Sequence, residues 1–235
     1  MTSALQAVIF DFDGVIADSE PLHFRAFQQA LAEDGLELTP KEYYARYLGY
    51  DDVGAFQAFG EDHGEAMDAA RLAALVARKG VKLQAMLSGG SVLFPGAVEF
   101  VRAAASAVPI AIASGALRHE IEEVIAVAGV GDLFAAIVAS GDTPQSKPSP
   151  APYRLAFERL QDASGTTLDP GRCVAIEDSR WGLESARGAG LRCVGVTNSY
   201  PADELTGAEL VVSGLQALTL DALDRLCGAG PRRAR

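Results

Sequence analysis

Two aspartates, one residue apart, follow the first strongly apolar segment of the chain. The segment AVIF at 7–10 leads directly into Asp11, Phe12 and Asp13. A carboxylate at the end of a buried strand costs free energy unless a partner compensates its charge. Residues two apart in a strand point to the same side, so these carboxylates can begin on a shared side. Such a pair suits a hard divalent ion such as Mg²⁺, although acidic residues at a strand end also often mark a turn.

Three further polar positions follow later apolar segments. Ser114 and Gly115 precede a helical segment, where a hydroxyl and backbone N–H groups bind anions, although a serine there also serves as an ordinary N-cap. Lys147 lies in the stiff loop SKPSP, where it can place a charge on a phosphate or remain solvated. Glu177 and Asp178 follow CVAI and can complete a metal site, or mark a helix start favoured by the dipole. Their shared location at strand ends favours a single site.

These residues are positioned by short apolar segments that alternate with amphipathic ones. Continuous apolar strands alternating with helices indicate a parallel sheet covered by helices on both faces. Such sheets bind ligands beyond the carboxyl ends of their strands, where all four polar positions fall. The predicted strands lie at 7–10, 108–113, 135–139, 173–176, 193–196 and 210–212, and the predicted helices between the later ones at 118–128, 150–160 and 180–189.

One long region interrupts this alternation. No convincing strand occurs between about 18 and 91, where LHFRAFQQALAEDG predicts a helix. Further helical pieces, separated by the Gly-bearing turns LGYDD and FGEDHG, are predicted at 41–47, 65–78 and 81–87. The segment SGGSVLFPG reads as a linker, with Pro95 near the start of the next helix. We therefore predict an α/β core of residues 1–17 and 92–235, interrupted after its first strand by an all-helical domain of residues 18–91.

The composition limits the classes of partner that the protein can bind. The net charge of -11, spread along the chain, argues against a nucleic-acid partner but not against a small anionic substrate. No apolar run is long enough to span a bilayer, and no secretory signal is visible, so we expect a cytoplasmic protein without a membrane partner. We expect a monomer, with a homodimer as the alternative. The cysteines Cys173, Cys193 and Cys227 lack CxxC spacing and predict reduced thiols, of which Cys173 and Cys193 lie in apolar segments and are expected to be buried.

The motif series resembles a known family. The segments DFDGVIADSEPLH, ASG, SKPSP and EDSRWGLESARGAG, in this order, are similar to the motifs of the haloacid dehalogenase-like hydrolase superfamily. They resemble in particular the branch of β-phosphoglucomutase and phosphoglycolate phosphatase, whose helical cap is inserted after the first strand. The resemblance covers nearly the whole chain. It implies a Rossmann-like core and Mg²⁺-dependent phosphoryl transfer through a phosphoaspartate.

The resemblance implies a role for each acidic residue. Asp11 would be the nucleophile, and Asp13 would protonate the leaving alcohol and then activate water. The residue types are consistent with these roles, because a carboxylate beside Mg²⁺ remains ionised and can attack phosphorus. The metal would be held by Asp11, the backbone carbonyl of Asp13, and Asp178, with Glu177 supporting it through a water.

The resemblance also implies residues that bind the substrate. Ser114, the amide of Gly115 and Lys147 would hold the phosphoryl oxygens and stabilise their developing charge. In the cap, His23 matches a histidine that helps to align the substrate, although a lone histidine on a helix more often packs or faces solvent. Lys79 resembles a cap lysine that contacts a distal group of the substrate, with a solvated residue at a helix end as the alternative.

The chain departs from its sugar-phosphate relatives after the cap glycine. These relatives commonly carry an arginine there that grips a second phosphate, whereas LGYDDVGAF has Asp51, Asp52 and Val53. A mutase must bind a bisphosphate in two orientations, so this difference disfavours mutase chemistry. We expect a Mg²⁺-dependent phosphatase of a small phosphorylated metabolite, such as a sugar phosphate or a phosphoglycolate-like acid. A β-phosphoglucomutase-like mutase and a non-catalytic binding protein on the same fold are the alternatives.

Overall fold

The computed structural model describes residues 3–47, 50–87 and 92–229. The chain divides into two compact units, Met1–Asp18 with Ser91–Arg235 and Ser19–Gly90, which we call the core unit and the inserted unit. The bounds of the inserted unit lie within one residue of the predicted 18–91. Residues 88–91 of the predicted linker lie outside the described part of the chain.

The helices of each unit are as follows. The inserted unit contains α1 (Glu20–Ala32), α2 (Pro40–Glu42) with a π-helical continuation at Tyr43–Tyr47, α3 (Asp52–His63) and α4 (Ala69–Leu87). The core unit contains α5 (Ala97–Ala107), α6 (Arg118–Val127), α7 (Ala151–Ser164), α8 (Arg180–Gly188) and α9 (Leu220–Gly228). Short 3₁₀ helices lie at Gly131–Leu133, Pro170–Arg172 and Leu215–Ala217.

The core unit is built on a parallel sheet, which over the described residues has six strands in the order β3-β2-β1-β4-β5-β6. The strands are β1 (Ala7–Phe10), β2 (Ile110–Ala113), β3 (Phe134–Val138), β4 (Cys173–Glu177), β5 (Arg192–Val196) and β6 (Leu210–Val212). The central strand β1 pairs with both β2 and β4, so the strand order reverses there. A reversal of this kind opens a crevice at the carboxyl ends of the strands. The predicted Rossmann-like α/β fold is confirmed.

Both faces of the sheet are buried, which explains why its strands are continuously apolar. On one face, Ile9 belongs to a core cluster with Tyr153 of α7 and Leu183 of α8. On the opposite face, the rings of Phe10 and Phe100 of α5 lie 6.2 Å apart, edge to face. Helices therefore cover the sheet from both sides, as predicted.

The inserted unit differs from the prediction in two helices. The region predicted as Gly-bearing turns contains α3, which begins where the Asp51 side chain accepts a hydrogen bond from the Gly54 N–H at 2.7 Å. Helix α4 is continuous through Gly80, whereas two separate pieces at 65–78 and 81–87 were predicted. A glycine inside a helix costs about 1 kcal/mol. Here the burial of one face of α4 offsets that cost, through residues spaced four apart at Leu75, Lys79, Leu83 and Leu87.

Two properties expected from composition can be compared with the fold. The three cysteines are free thiols, as predicted, and Cys173 and Cys193 are buried as expected; Cys227 is buried as well. None of the helices in the described ranges combines the length and the apolar character needed to cross a bilayer.

Candidate active site

The first pair of carboxylates lies at the carboxyl end of the central strand. The N–H of Asp11 donates to the carbonyl of Ile176 on β4 at 2.9 Å, so the pairing extends one residue beyond β1. The chain then turns at Gly14, whose φ of 76° favours glycine. A Cβ at Gly14 would lie 1.7 Å from Oδ2 of Asp178, so this glycine also lets the two acidic segments approach. Asp13, between these positions, is half-buried.

Three carboxylates meet at this point and form what we call the acidic cluster: Asp11, Glu177 and Asp178. An oxygen of each lies within 4.8 Å of the others, and all three residues are buried. Burial, together with the charge of Glu177, raises the pKa of Asp11. The same two causes raise the pKa of Asp178 to about 7, against the opposing effect of a hydrogen bond from Ser199. Closely spaced carboxylate oxygens are the donors that Mg²⁺ prefers, so the acidic cluster fits this ion.

Lys147 joins two members of the acidic cluster. Its Nζ lies 2.8 Å from Oδ1 of Asp11 and 2.6 Å from Oε1 of Glu177, and its side chain is 14% exposed. Burial by itself would lower the pKa of Lys147, but the two carboxylates outweigh it and raise the pKa above its ordinary value. The alternative of a solvated loop lysine is therefore wrong, and Lys147 is a charged part of this site.

Ser114 and Gly115 lie at the carboxyl end of β2, the strand beside β1. Ser114 is buried, its N–H donates to the carbonyl of Val138 at 2.9 Å, and its Oγ accepts from the N–H of Ala116 at 3.0 Å. Helix α6 begins only at Arg118, so Ser114 is not the N-cap of this helix. Gly115 is exposed, and a Cβ there would meet no atom within 4 Å. The loop therefore presents an open backbone position at the carboxyl edge of the sheet.

Glu177 is held from several directions. Its Oε1 accepts from Lys147 and from the hydroxyl of Tyr153, the latter at 2.8 Å. Its Oε2 accepts from the hydroxyl of Ser179 at 3.2 Å. A Cβ at Gly182 would lie 1.9–2.0 Å from atoms of this carboxylate, so any larger residue there would displace the carboxylate. Neither Tyr153 nor Gly182 was predicted from the sequence.

A further segment supports the site beyond the end of β5. The hydroxyl of Ser199 donates a short hydrogen bond to Oδ2 of Asp178. The amide of Asn198 donates to the carbonyl of Gly14 at 2.7 Å. These residues were also missed, although a signal was available, because TNSY follows the predicted strand CVGV as the other polar segments follow theirs.

The two candidate residues of the inserted unit contact each other. Lys79 is 1% exposed, and its Nζ lies 2.8 and 2.9 Å from the two carboxylate oxygens of Asp52 and 3.0 Å from Nδ1 of His23. Burial and then the charge of Lys79 lower the pKa of His23 to about 3, so the imidazole is neutral. Because an ammonium group only donates, Nδ1 accepts and Nε2 carries the proton. Lys79 is thus an internal member of an ion pair rather than a solvated residue at a helix end.

Comparison with known proteins agrees with this architecture. The chain belongs to the haloacid dehalogenase-like hydrolase family, whose model matches residues 5–190. It is 34% identical to protein CbbY of Rhodobacter capsulatus over 233 residues, covering 94% of this chain and 99% of the relative. It is 29% identical over 189 residues to the fructose-1-phosphate phosphatase YqaB of Escherichia coli (strain K12), covering 80% of this chain and 95% of that protein.

Solved structures show the same similarity. A mutant of CbbY from Rhodobacter sphaeroides, in complex with xylulose-(1,5)bisphosphate, matches with a TM-score of 0.83 and 28% identity. The match covers 94% of this chain and 99% of that chain. The predicted family and the predicted class of enzyme, a haloacid dehalogenase-like phosphatase, are confirmed.

Proposed function

We propose that this protein is a Mg²⁺-dependent phosphatase of a small phosphorylated metabolite, a sugar phosphate or a phosphoglycolate-like acid, acting through a phosphoaspartate at Asp11. The observation that carries this proposal is the acidic cluster with Lys147 bridging two of its members at the carboxyl edge of the sheet. The similarity to a relative named as a sugar-phosphate phosphatase supports the class of substrate.

The residues present fit the proposed metal. Asp11, the backbone carbonyl of Asp13, and Asp178 would hold Mg²⁺, with Glu177 supporting it through a water. The pKa values of Asp11 and Asp178 are raised because buried negative charges repel one another, and a cation relieves that repulsion. When bound, Mg²⁺ would neutralise charge on the carboxylates and on the phosphoryl oxygens.

In the first step Asp11 and Asp13 have different roles. Oδ1 of Asp11 accepts from the N–H of Phe12 at 2.7 Å and lies 2.8 Å from Nζ of Lys147, so we assign the attack on phosphorus to Oδ2. As the Asp11–phosphorus bond forms, the bond from phosphorus to the leaving oxygen breaks. Asp13 gives its proton to that oxygen, and an alcohol leaves.

In the second step a water attacks the phosphoaspartate. Asp13, now a carboxylate, takes a proton from the water while the bond between phosphorus and Asp11 breaks. Inorganic phosphate leaves, and both aspartates return to their starting state. Ser114, the amide of Gly115 and Lys147 would stabilise the charge that develops on the phosphoryl oxygens in both steps.

The ion pair in the inserted unit favours hydrolysis over mutase chemistry. In the proposed function, His23 contacts the substrate through its Nε2 proton, and Lys79 fixes His23 in that tautomer. The charge of Lys79 is already matched by both oxygens of Asp52. A residue so engaged is a poor partner for the second phosphate of a bisphosphate, which a mutase must bind in two orientations.

The deciding experiment measures phosphate release from a panel of monoesters, including fructose 1-phosphate, phosphoglycolate and xylulose 1,5-bisphosphate, with Mg²⁺ and with EDTA. We expect Mg²⁺-dependent release by the wild type and none by Asp11→Asn. No turnover of any ester, or full turnover by Asp11→Asn, would contradict the proposal. Conversion of β-glucose 1-phosphate to glucose 6-phosphate without net phosphate release would establish the mutase alternative.

A further inference from the structure

Tyr153 is a buried polar residue to which the proposed mechanism assigns no task. It lies on α7, is 0% exposed, and belongs to the apolar cluster beneath the sheet. A buried hydroxyl is costly unless it forms a hydrogen bond, so packing alone would favour phenylalanine at such a position. The hydroxyl of Tyr153 therefore requires its own explanation.

The explanation lies in two contacts made by the same side chain. The hydroxyl donates to Oε1 of Glu177 at 2.8 Å. The ring lies beneath Lys147, with Nζ 5.0 Å from the ring centroid, a distance typical of a cation–π contact. Tyr153 thus contacts both the ammonium group and one of the carboxylates that it bridges.

The bridging position of Lys147 depends on how firmly Glu177 is held. Oε1 of Glu177 accepts from both Lys147 and Tyr153, while the ammonium also lies 2.8 Å from Asp11. Without the phenol, Oε1 would have Lys147 as its one remaining donor among these contacts, which would draw the ammonium away from Asp11. Glycine at 182 lets the backbone of α8 approach the Glu177 carboxylate closely.

We propose that Tyr153 is a positioning residue, which orients Glu177 by its hydroxyl and Lys147 by its ring, and thereby sets the geometry of Asp11 and the acidic cluster. The part of this proposal that concerns turnover rests on the proposed function. The part that concerns the cation-binding geometry does not.

The test is Tyr153→Phe, which keeps the ring and removes the hydroxyl. Mg²⁺ binding is measured by titration calorimetry without substrate, and kcat and KM are measured on the best monoester of the panel. Because groups that orient ligands typically contribute about 10- to 100-fold to metal affinity or activity, we expect a loss of at least about tenfold in Mg²⁺ affinity and in kcat. We expect KM to change much less, since Tyr153 does not contact the substrate in this proposal.

The matched control is Tyr47→Phe in the inserted unit. Tyr47 is also buried, and its hydroxyl also donates to a carboxylate, Oδ2 of Asp62, at 2.8 Å. We expect this variant to lose thermal stability as Tyr153→Phe does, but to keep the wild-type Mg²⁺ affinity and kcat. Equal stability losses with unchanged Mg²⁺ affinity and kcat in both variants would overturn the proposal.

Gly182→Ala displaces Glu177 without changing Tyr153, and provides a second test if Tyr153→Phe does not fold. Its added Cβ would collide with the Glu177 carboxylate, so we expect it to lower Mg²⁺ affinity in the same way. An unchanged affinity in a folded Gly182→Ala protein would contradict the dependence on Glu177. If the wild type hydrolyses no ester, the proposed function fails, while the Mg²⁺ titrations still decide the role of Tyr153.

Discussion

The core unit and the inserted unit each contain one lysine that is largely withdrawn from water. The side chain of Lys147 is 14% exposed and that of Lys79 is 1% exposed. Each ammonium lies near an aromatic ring, at 5.0 Å from the centroid of Tyr153 and at 5.1 Å from that of Phe27. Each also pairs with carboxylate oxygens at ordinary salt-bridge distances.

The two lysines differ in the balance of charge around them. Lys147 is surrounded by the acidic cluster, in which three carboxylates face a single ammonium. Lys79 pairs with the one carboxylate of Asp52 and a neutral His23, so its surroundings are close to neutral. The same residue type therefore lies in the candidate active site, where negative charge remains in excess, and in a closed ion pair, where it does not.

The largest expected difference between the two units is in the loss of activity when each lysine is replaced by methionine. Lys147→Met should lower kcat on the order of 10²- to 10³-fold, as the loss of one group that stabilises transition-state charge does elsewhere. Lys79→Met should lower hydrolysis of a monoester with an uncharged leaving alcohol by about tenfold, the low end of the range for a positioning contact, since Lys79 is not assigned to the reacting phosphoryl group. Phosphate release by the two variants is measured under saturating Mg²⁺. Equal losses of activity would contradict the different roles proposed for the two lysines.

Mg²⁺ binding should depend on the carboxylates of the acidic cluster and not on Asp52 of the inserted unit. Asp178→Asn removes a proposed ligand and should weaken Mg²⁺ binding at least about tenfold. Asp52→Asn makes the same chemical change in the inserted unit and should leave Mg²⁺ binding unchanged. Titration calorimetry with both variants checks this, and a similar loss in Asp52→Asn would contradict the assignment of Mg²⁺ binding to the acidic cluster.

Mg²⁺ binding should also depend on pH. The pKa of Asp178 is raised from 3.8 to about 7, so below pH 7 the metal must displace a proton. Apparent Mg²⁺ affinity should therefore rise with pH, by up to about tenfold per unit for one displaced proton, and level off above pH 7. Without metal the unfolded protein binds fewer protons than the folded protein between pH 4 and 7, so this group makes the folded state less stable as pH rises.

Thermal unfolding checks the same linkage independently. Because Mg²⁺ removes the cost of ionised Asp178 in the folded state, the increase in Tm from EDTA to saturating Mg²⁺ should be larger at pH 7 than at pH 5. An equal increase at both values would show that Asp178 is already ionised at pH 5.

The smallest expected effect concerns the choice of substrate. Asp52→Asn releases the charge of Lys79, and should raise kcat/KM for a bisphosphate relative to a monophosphate about fivefold, equivalent to roughly 1 kcal/mol. Because Lys79 is buried, the loss of its ion pair should lower the free energy of unfolding by about 1–3 kcal/mol, measured by urea denaturation. The double variant Asp52→Asn with Lys79→Met should show no gain for the bisphosphate, and a gain in that protein would assign the effect to another residue.

The sheet was predictable because its strands carry the same pattern throughout. Strand β1 lies at the predicted 7–10, since a strand buried on both faces needs an unbroken apolar run. Helix α3 was missed because the glycines of LGYDD and FGEDHG were interpreted as turn signals. A Cβ at Gly60 would lie 2.3 Å from Cγ of Met67, so this glycine permits a close approach within a helix. Such a close approach depends on tertiary packing, and no local sequence pattern predicts it.

The candidate active site was also predictable only in part. Residue types and their places after apolar segments predicted that Asp11, Lys147, Glu177 and Asp178 lie close together, because the carboxyl ends of parallel strands share one edge. The contacts of Tyr153 with Glu177, and of Lys79 with Asp52, join residues 24 and 27 positions apart. Only the packed helices bring those side chains within hydrogen-bond distance, and that packing determines which lysine is left with an excess of negative charge around it.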